Sequence, residues 1–140
     1  MAGFKLDSLK VDDTLQTEGV WTELFPGLQV RIARLGNPKC EKLLQKLRKP
    51  HLRTLRKGQI SEELADSLLK QAMAKTVLLD WKGLVVTGEN GEDVSIPYSP
   101  EQALKFFQDK SIPDFFDAVL EFSRNAQNFH EDDKEETEGN

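Results

Sequence analysis

The side chains that could do chemistry in this chain are two histidines, one cysteine and several paired carboxylates. A histidine acts as a base or a metal ligand when a carboxylate or a second ligand is held beside it, at spacings such as His-x-x-x-His or Cys-x-x-Cys. His51 instead follows Pro50 in a strongly basic stretch, and His130 heads a polar C-terminal segment. Cys40 shares an apolar stripe with Leu43, Leu44 and Leu47 and has no base near it in sequence, so it reads as a small buried hydrophobe. A single cysteine excludes an internal disulfide. The pairs Asp132-Asp133 and Glu135-Glu136 lie in a stretch without apolar residues, where nothing fixes their separation or shifts their protonation. Gly88 to Gly91 is turn chemistry, because no helix with a Lys-Ser/Thr pair follows it as in a phosphate loop. The expectation is a non-enzymatic chain with no cofactor and no bound metal.

Two groups of residues remain for binding. The cations Lys39, Lys42, Lys46, Arg48, Lys49, Arg53, Arg56 and Lys57 crowd one region. They read as a face solvated or paired within the molecule, as phosphate contacts for nucleic acid, or as a protein-contact face. No aromatic residue interleaves with them and no helix-turn-helix pattern surrounds them, which disfavours nucleic acid. The second group is Phe106, Phe107, Phe115, Phe116 and Phe122, on two adjacent short helices. Consecutive residues on a helix point apart, so some of these rings face the core and others are left for the surface, where they could form an apolar groove for a partner helix.

The elements that position these groups follow from pattern. Residues 1–17 scatter Leu6, Leu9, Val11 and Leu15 among polar residues and read as a flexible arm. Residues 19–35 read as two antiparallel strands around a Pro26-Gly27 turn, with Leu28, Val30 and Ile32 facing inward. Asn37-Pro38 opens a helix bearing the Cys40 to Leu47 stripe. Pro50 breaks it, and a second piece runs to Gly58. Ser61 caps a long apolar-faced helix expected to end near Asp80. The runs 84–87 and 94–96 flank Asn90-Gly91 and form a hairpin, expected to pair with the 19–35 strands or to pack on a helix. Ser99-Pro100-Glu101-Gln102 opens the first aromatic helix, and Ser111 to Asp114 opens the second. The fold class expected is α+β: a mostly helical single domain over 18–130, with roughly five helices, a small antiparallel sheet and a disordered acidic tail at 131–140.

Composition agrees with a water-facing domain. At 140 residues, 38% hydrophobic and 31% charged, the chain is long enough to bury a core on the order of 70% of its unfolded surface. No apolar run reaches the roughly 20 residues of a membrane span, and the N-terminus lacks the apolar core of a secretory signal. The net charge of −5 hides an asymmetry: residues 31–57 hold ten Lys/Arg against one acid, while residues 62–140 hold seven against eighteen. Basic and acidic helices lying side by side would neutralise each other; otherwise the basic face awaits an acidic partner.

With these segments in order, Trp21 to Phe129 resembles the tail assembly chaperones of long-tailed bacteriophages. The likeness rests on Trp21 with Phe25-Pro26-Gly27, on Arg34 to Pro38 opening a basic helix, and on Lys46 to Pro50. It continues with Thr76 to Leu84, Ile96 to Ala103 and the aromatic helix at Phe115-Phe116, its most specific part being Trp81-x-Gly83 followed by Pro97-Tyr98-Ser99-x-Glu101. The resemblance implies a small chaperone, free of cofactors, that works in the host bacterial cytoplasm. It would bind the tape measure protein before the tail tube polymerises and be absent from the finished virion. The major tail tube protein is a second expected partner, and self-association a third. The residues expected to touch a partner are Phe106, Phe107, Phe115, Phe116, Phe122, Arg48, Lys49, Arg53 and Arg56. The rival expectations are a nucleic-acid-associated regulator using residues 39–57 and a structural component of the tail or head joint.

Overall fold

The computed structural model describes residues 3–58 and 61–130; the acidic segment 131–140 and its expected disorder lie outside them. In chain order the elements are α1 (Asp13–Glu18), β1 (Val20–Phe25), β2 (Leu28–Ile32), α2 (Pro38–Arg48), α3 (Leu52–Arg56) and α4 (Glu62–Thr76). There follow β3 (Leu78–Lys82), β4 (Val85–Thr87), β5 (Asp93–Ser95), α5 (Pro100–Gln108) and α6 (Pro113–Arg124). The fold is α+β and mostly helical, with one three-stranded and one two-stranded antiparallel sheet.

The hairpin at 20–32 forms around Pro26-Gly27, with Gly27 at φ +86° as the turn requires. Val30 and Ile32 point into the core with no exposed surface. The expected helix end is corrected: α4 stops at Thr76, and residues 78–82 form a strand that pairs antiparallel with β2. An apolar run such as Val77-Leu78-Leu79 fits a helix or a strand equally well by pattern, and the open edge of β2 decides. The helix end is satisfied from outside. Buried Asn37 donates its side-chain amide to the Thr76 carbonyl at 3.0 Å, and the Ala33 N–H donates to the Val77 carbonyl at 2.8 Å.

The Asn90-Gly91 ribbon does not join this sheet; β4 and β5 pair only with each other. It is fastened at its base, where the Ile96 N–H donates to the Leu84 carbonyl at 3.0 Å, and Leu84 and Ile96 pack on the main core. The N-terminal stretch also departs from expectation. From Val11 onward it is docked, with Val11 bridged to His130 and the Asp12 N–H donating to the Phe129 carbonyl at 2.9 Å. Leu15 is buried against Val20 and Phe129 in a small satellite core. Its scattered apolar residues concealed this because the partner, Phe129, lies more than a hundred residues away. Phe4, Leu6 and Leu9 remain exposed.

Candidate functional site

The cations expected to touch a partner are carried on a bent pair of helices. Asn37 starts α2 by accepting from the Cys40 N–H at 3.0 Å, and Pro38 sits in the first turn. Helical spacing then turns Cys40 and Leu44 inward and leaves Lys39, Lys42 and Lys46 in solvent. Pro50 ends α2, and a single tight turn over Lys49–His51 redirects the chain into α3. Arg48, Lys49, Arg53 and Arg56 are all exposed around this elbow. Among the described residues, the intramolecular neutralisation expected from the charge asymmetry does not take the form of ion pairs. Among the described residues the ion pair present joins Lys70 to Asp66 at 2.8 Å, and none joins a cation of 39–57 to a carboxylate.

Between the elbow and α4 runs a groove of about 510 Å³. Leu44, Leu55, Ala65, Leu68 and Leu69 line it, and Arg48 stands at its edge. Leu44 and Leu68, at 6% and 5% exposure, form the floor, while Leu55 and Leu69 are half-buried walls. Leu52, three residues before Leu55, is 41% exposed. A smaller recess of about 240 Å³ opens on the other side of α2, between Leu43, Leu47, Ala74 and Leu104, with Lys75 and Glu101 at its rim. The groove liners were hidden in sequence. The available signal was the pair Leu52 and Leu55, two leucines spaced three apart inside an otherwise cationic piece.

The aromatic residues expected at a partner surface lie elsewhere and face inward. Phe107, Phe115 and Phe116 are buried, and Phe106 and Phe122 are half-buried and packed on the core. The expectation of an exposed aromatic groove is therefore corrected. Phe106 and Phe115 cross edge to face at 5.9 Å, Phe107 meets Phe116 at 5.1 Å, and Trp81 contacts both Phe106 and Phe115. Phe122 meets Phe129 edge to face at 5.9 Å. Consecutive rings do point apart, as helix geometry demands. The second ring of each pair meets another element rather than water, since α5 and α6 pack together beside β3 and α4.

The electrostatic perturbation that stands out is at Tyr98. Burial chiefly, then the Asp80 charge, push its hydroxyl up to about 12; Arg31 opposes this, and Glu101 adds the smallest push upward. The hydroxyl donates to the Leu78 carbonyl at 2.6 Å, so it fastens β3 and is not placed for reaction. Cys40 is fully buried. Among the described residues no three His, Cys, Asp or Glu side chains gather as a metal ion would need, and no helix is long and apolar enough to cross a membrane. The groove thus places apolar side chains beside exposed cations.

No curated protein and no solved structure matches the chain. The family model of the YdaY prophage protein matches residues 35–140, which include the elbow, the groove and both aromatic helices. On that match, covering well over half of its length, the chain belongs to the YdaY prophage protein family and is phage-derived.

Proposed function

We infer that this protein is a tail assembly chaperone that holds the tape measure protein while the phage tail is built. The observation that carries the reading is the apolar groove beside an exposed cationic elbow in a phage-derived chain. A tape measure protein is a long helical chain with apolar stripes, and it aggregates when bare. Holding it soluble calls for apolar contact area and for charge that keeps the complex dispersed. It also calls for modest affinity at each site, so that polymerising tube protein can displace the chaperone. Many copies on one client then cover it by multivalency. On this reading the protein acts in the bacterial cytoplasm, performs no catalysis, and leaves before the virion is complete; the tail tube protein is the second partner.

Co-expression with the tape measure protein of the same phage tests the reading. The client is expected to stay soluble and to co-purify with this chain, and the chain is expected to be missing from purified particles. A client equally soluble alone overturns the reading, and recovery of the chain in virions points to a structural tail component. A nucleic-acid-associated role draws on the same exposed cations of 39–57, but it leaves the apolar lining of the groove without a use.

A further inference from the structure

The groove between the elbow and α4 combines two properties that together specify an occupant. Its lining is apolar, from Leu44 and Leu68 on the floor to Leu55 and Leu69 on the walls. Its elbow side is cationic: residues 48–57 carry Arg48, Lys49, Arg53, Arg56 and Lys57 and no acid, with Arg48 lining the groove, while the facing α4 carries Glu62, Glu63 and Asp66, the last paired with Lys70. We propose that this groove takes an acidic amphipathic helix of a partner protein, seating leucine-like side chains against Leu55 and Leu69 and turning its carboxylates toward Arg48, Arg53 and Arg56. This rests on the chaperone reading only for the identity of the client, whose binding segment it describes.

Charge and burial choose among the alternatives. A nucleic-acid strand would satisfy the arginines but would lay phosphates over an apolar wall. A neutral apolar helix would fill the wall but would bring no counter-charge to the cations of the elbow. An acidic helix satisfies both, because arginine forks bind carboxylates in paired hydrogen bonds that strengthen as water is excluded. A helix also fits the shape, since the groove lies between helices and accepts another by ridge-into-groove packing. The part of α4 that lines the groove, from Ala65 to Leu69, spans about 6 Å, so it receives the side chains of about one turn of the partner.

Fluorescence anisotropy with the full chain tests this against three labelled probes. One is a helix-forming peptide with leucine on one face and glutamate elsewhere, the second carries lysine in place of each glutamate, and the third is a DNA duplex. The glutamate peptide is expected to bind at least about tenfold tighter than the other two. Arg53→Glu with Arg56→Glu is expected to weaken it at least about tenfold, and Leu55→Ser likewise. Thermal melts check that the variants stay folded; should Leu55→Ser melt early, Ala65→Glu serves, at an exposed position of the groove lining. Equal binding of the lysine peptide, tighter binding of DNA, or glutamate-peptide binding indifferent to both lining changes overturns the proposal. So does binding seen only in a chain ending at His130, which would make residues 131–140 the occupant. The two readings fail separately. Capture of the tape measure protein unaffected by Arg53→Glu with Arg56→Glu sinks the groove alone, and peptide binding without any capture of that client sinks the chaperone role alone.

Discussion

Trp81 donates its indole N–H to the carbonyl of Ile96 at 2.7 Å, across the whole length of the β4–β5 ribbon. The bond ties the end of β3 to the segment that leads into α5, and the buried Trp81 ring meets Tyr98 edge to face at 4.9 Å. The ribbon itself exposes Val85, Val86 and Val94 and holds little of its own core. Its place is set at the base, by Trp81, Ile96 and Tyr98, and so is the packing of α5 against α4, which forms a wall of the smaller recess.

Trp81→Phe keeps a ring and removes the donor. The Ile96 carbonyl then loses this partner inside the protein, and the cost is expected at about 1–3 kcal/mol. Trp81→Ala adds the cavity and is expected to cost about 3–5 kcal/mol. Denaturant unfolding followed by circular dichroism separates the two. Equal losses for both variants would show that the indole N–H contributes nothing beyond the ring.

Tyr98 is the sole tyrosine, so its ionisation can be followed directly by tyrosinate absorbance. Burial and the neighbouring Asp80 charge hold it up at about 12 against an ordinary value of 10.0. The fold therefore favours the protonated hydroxyl. That contribution is complete below pH 10 and is lost as pH rises through about 12. Asp80→Asn is expected to lower the midpoint, since one of the two acidic neighbours that raise it is gone. A midpoint at the ordinary value in the folded protein would contradict the hydroxyl's bond to Leu78.

Much of this arrangement is legible in the sequence where chemistry is local. Asn37-Pro38, Ser61 and Ser99-Pro100 each start a helix where their side chains accept from the chain three residues on. The Pro26-Gly27 and Asn90-Gly91 turns fall where expected. Long-range choices are illegible. Val77 to Lys82 leaves the helix because β2 offers an edge, and Leu15 is buried because Phe129 returns to it. The site divided along the same line. Arg48, Lys49, Arg53 and Arg56 are exposed by helical period alone, whereas the inward turn of Phe115 and Phe116 depends on how α5 and α6 meet β3 and α4. Leu44, Leu55, Leu68 and Leu69 became one groove only when the Pro50 bend laid α3 beside α4.

Asn37 is the joint between α2 and the end of α4. Its side-chain carbonyl caps α2, and its amide donates to the carbonyls of Arg34 at 2.8 Å and Thr76 at 3.0 Å, all with 2% exposure. Asn37→Ala strips a cap and two buried carbonyl partners together and is expected to cost about 2–4 kcal/mol. Asn37→Ser can restore the cap alone and is expected to recover only part of that. A full recovery by serine in chemical denaturation would mean that the Thr76 bond does not hold α4 in place.

Gly83 closes the sheet against the β1–β2 turn. It sits at φ +80°, and a Cβ there would run into the Gly27 carbonyl. Gly83→Ala meets both a left-handed backbone and a backbone clash, so it is expected to destabilise by more than about 2 kcal/mol. Gly91→Ala, at φ +80° with open space around it, carries the strain without the clash and is expected to cost about half as much. Parity between the two in thermal melts would indicate that the turn moves away freely.

The N-terminal stretch divides near Val11. Phe4, Leu6 and Leu9 are 74%, 73% and 51% exposed, while Leu15 is 4% exposed between Val20 and Phe129. Deleting residues 1–9 is therefore expected to leave the melting temperature within a degree or so, because residues 3–9 are all exposed. Leu15→Ala is expected to cost about 2–5 kcal/mol through the cavity it opens. The same substitution should also raise amide exchange at Asp12, whose N–H donates to the Phe129 carbonyl at 2.9 Å beside this satellite core. Exchange unchanged at Asp12 in the presence of a lowered melt would mean that Phe129 is held in place by Phe122, through the ring contact at 5.9 Å, and that the N-terminal stretch stays docked without Leu15.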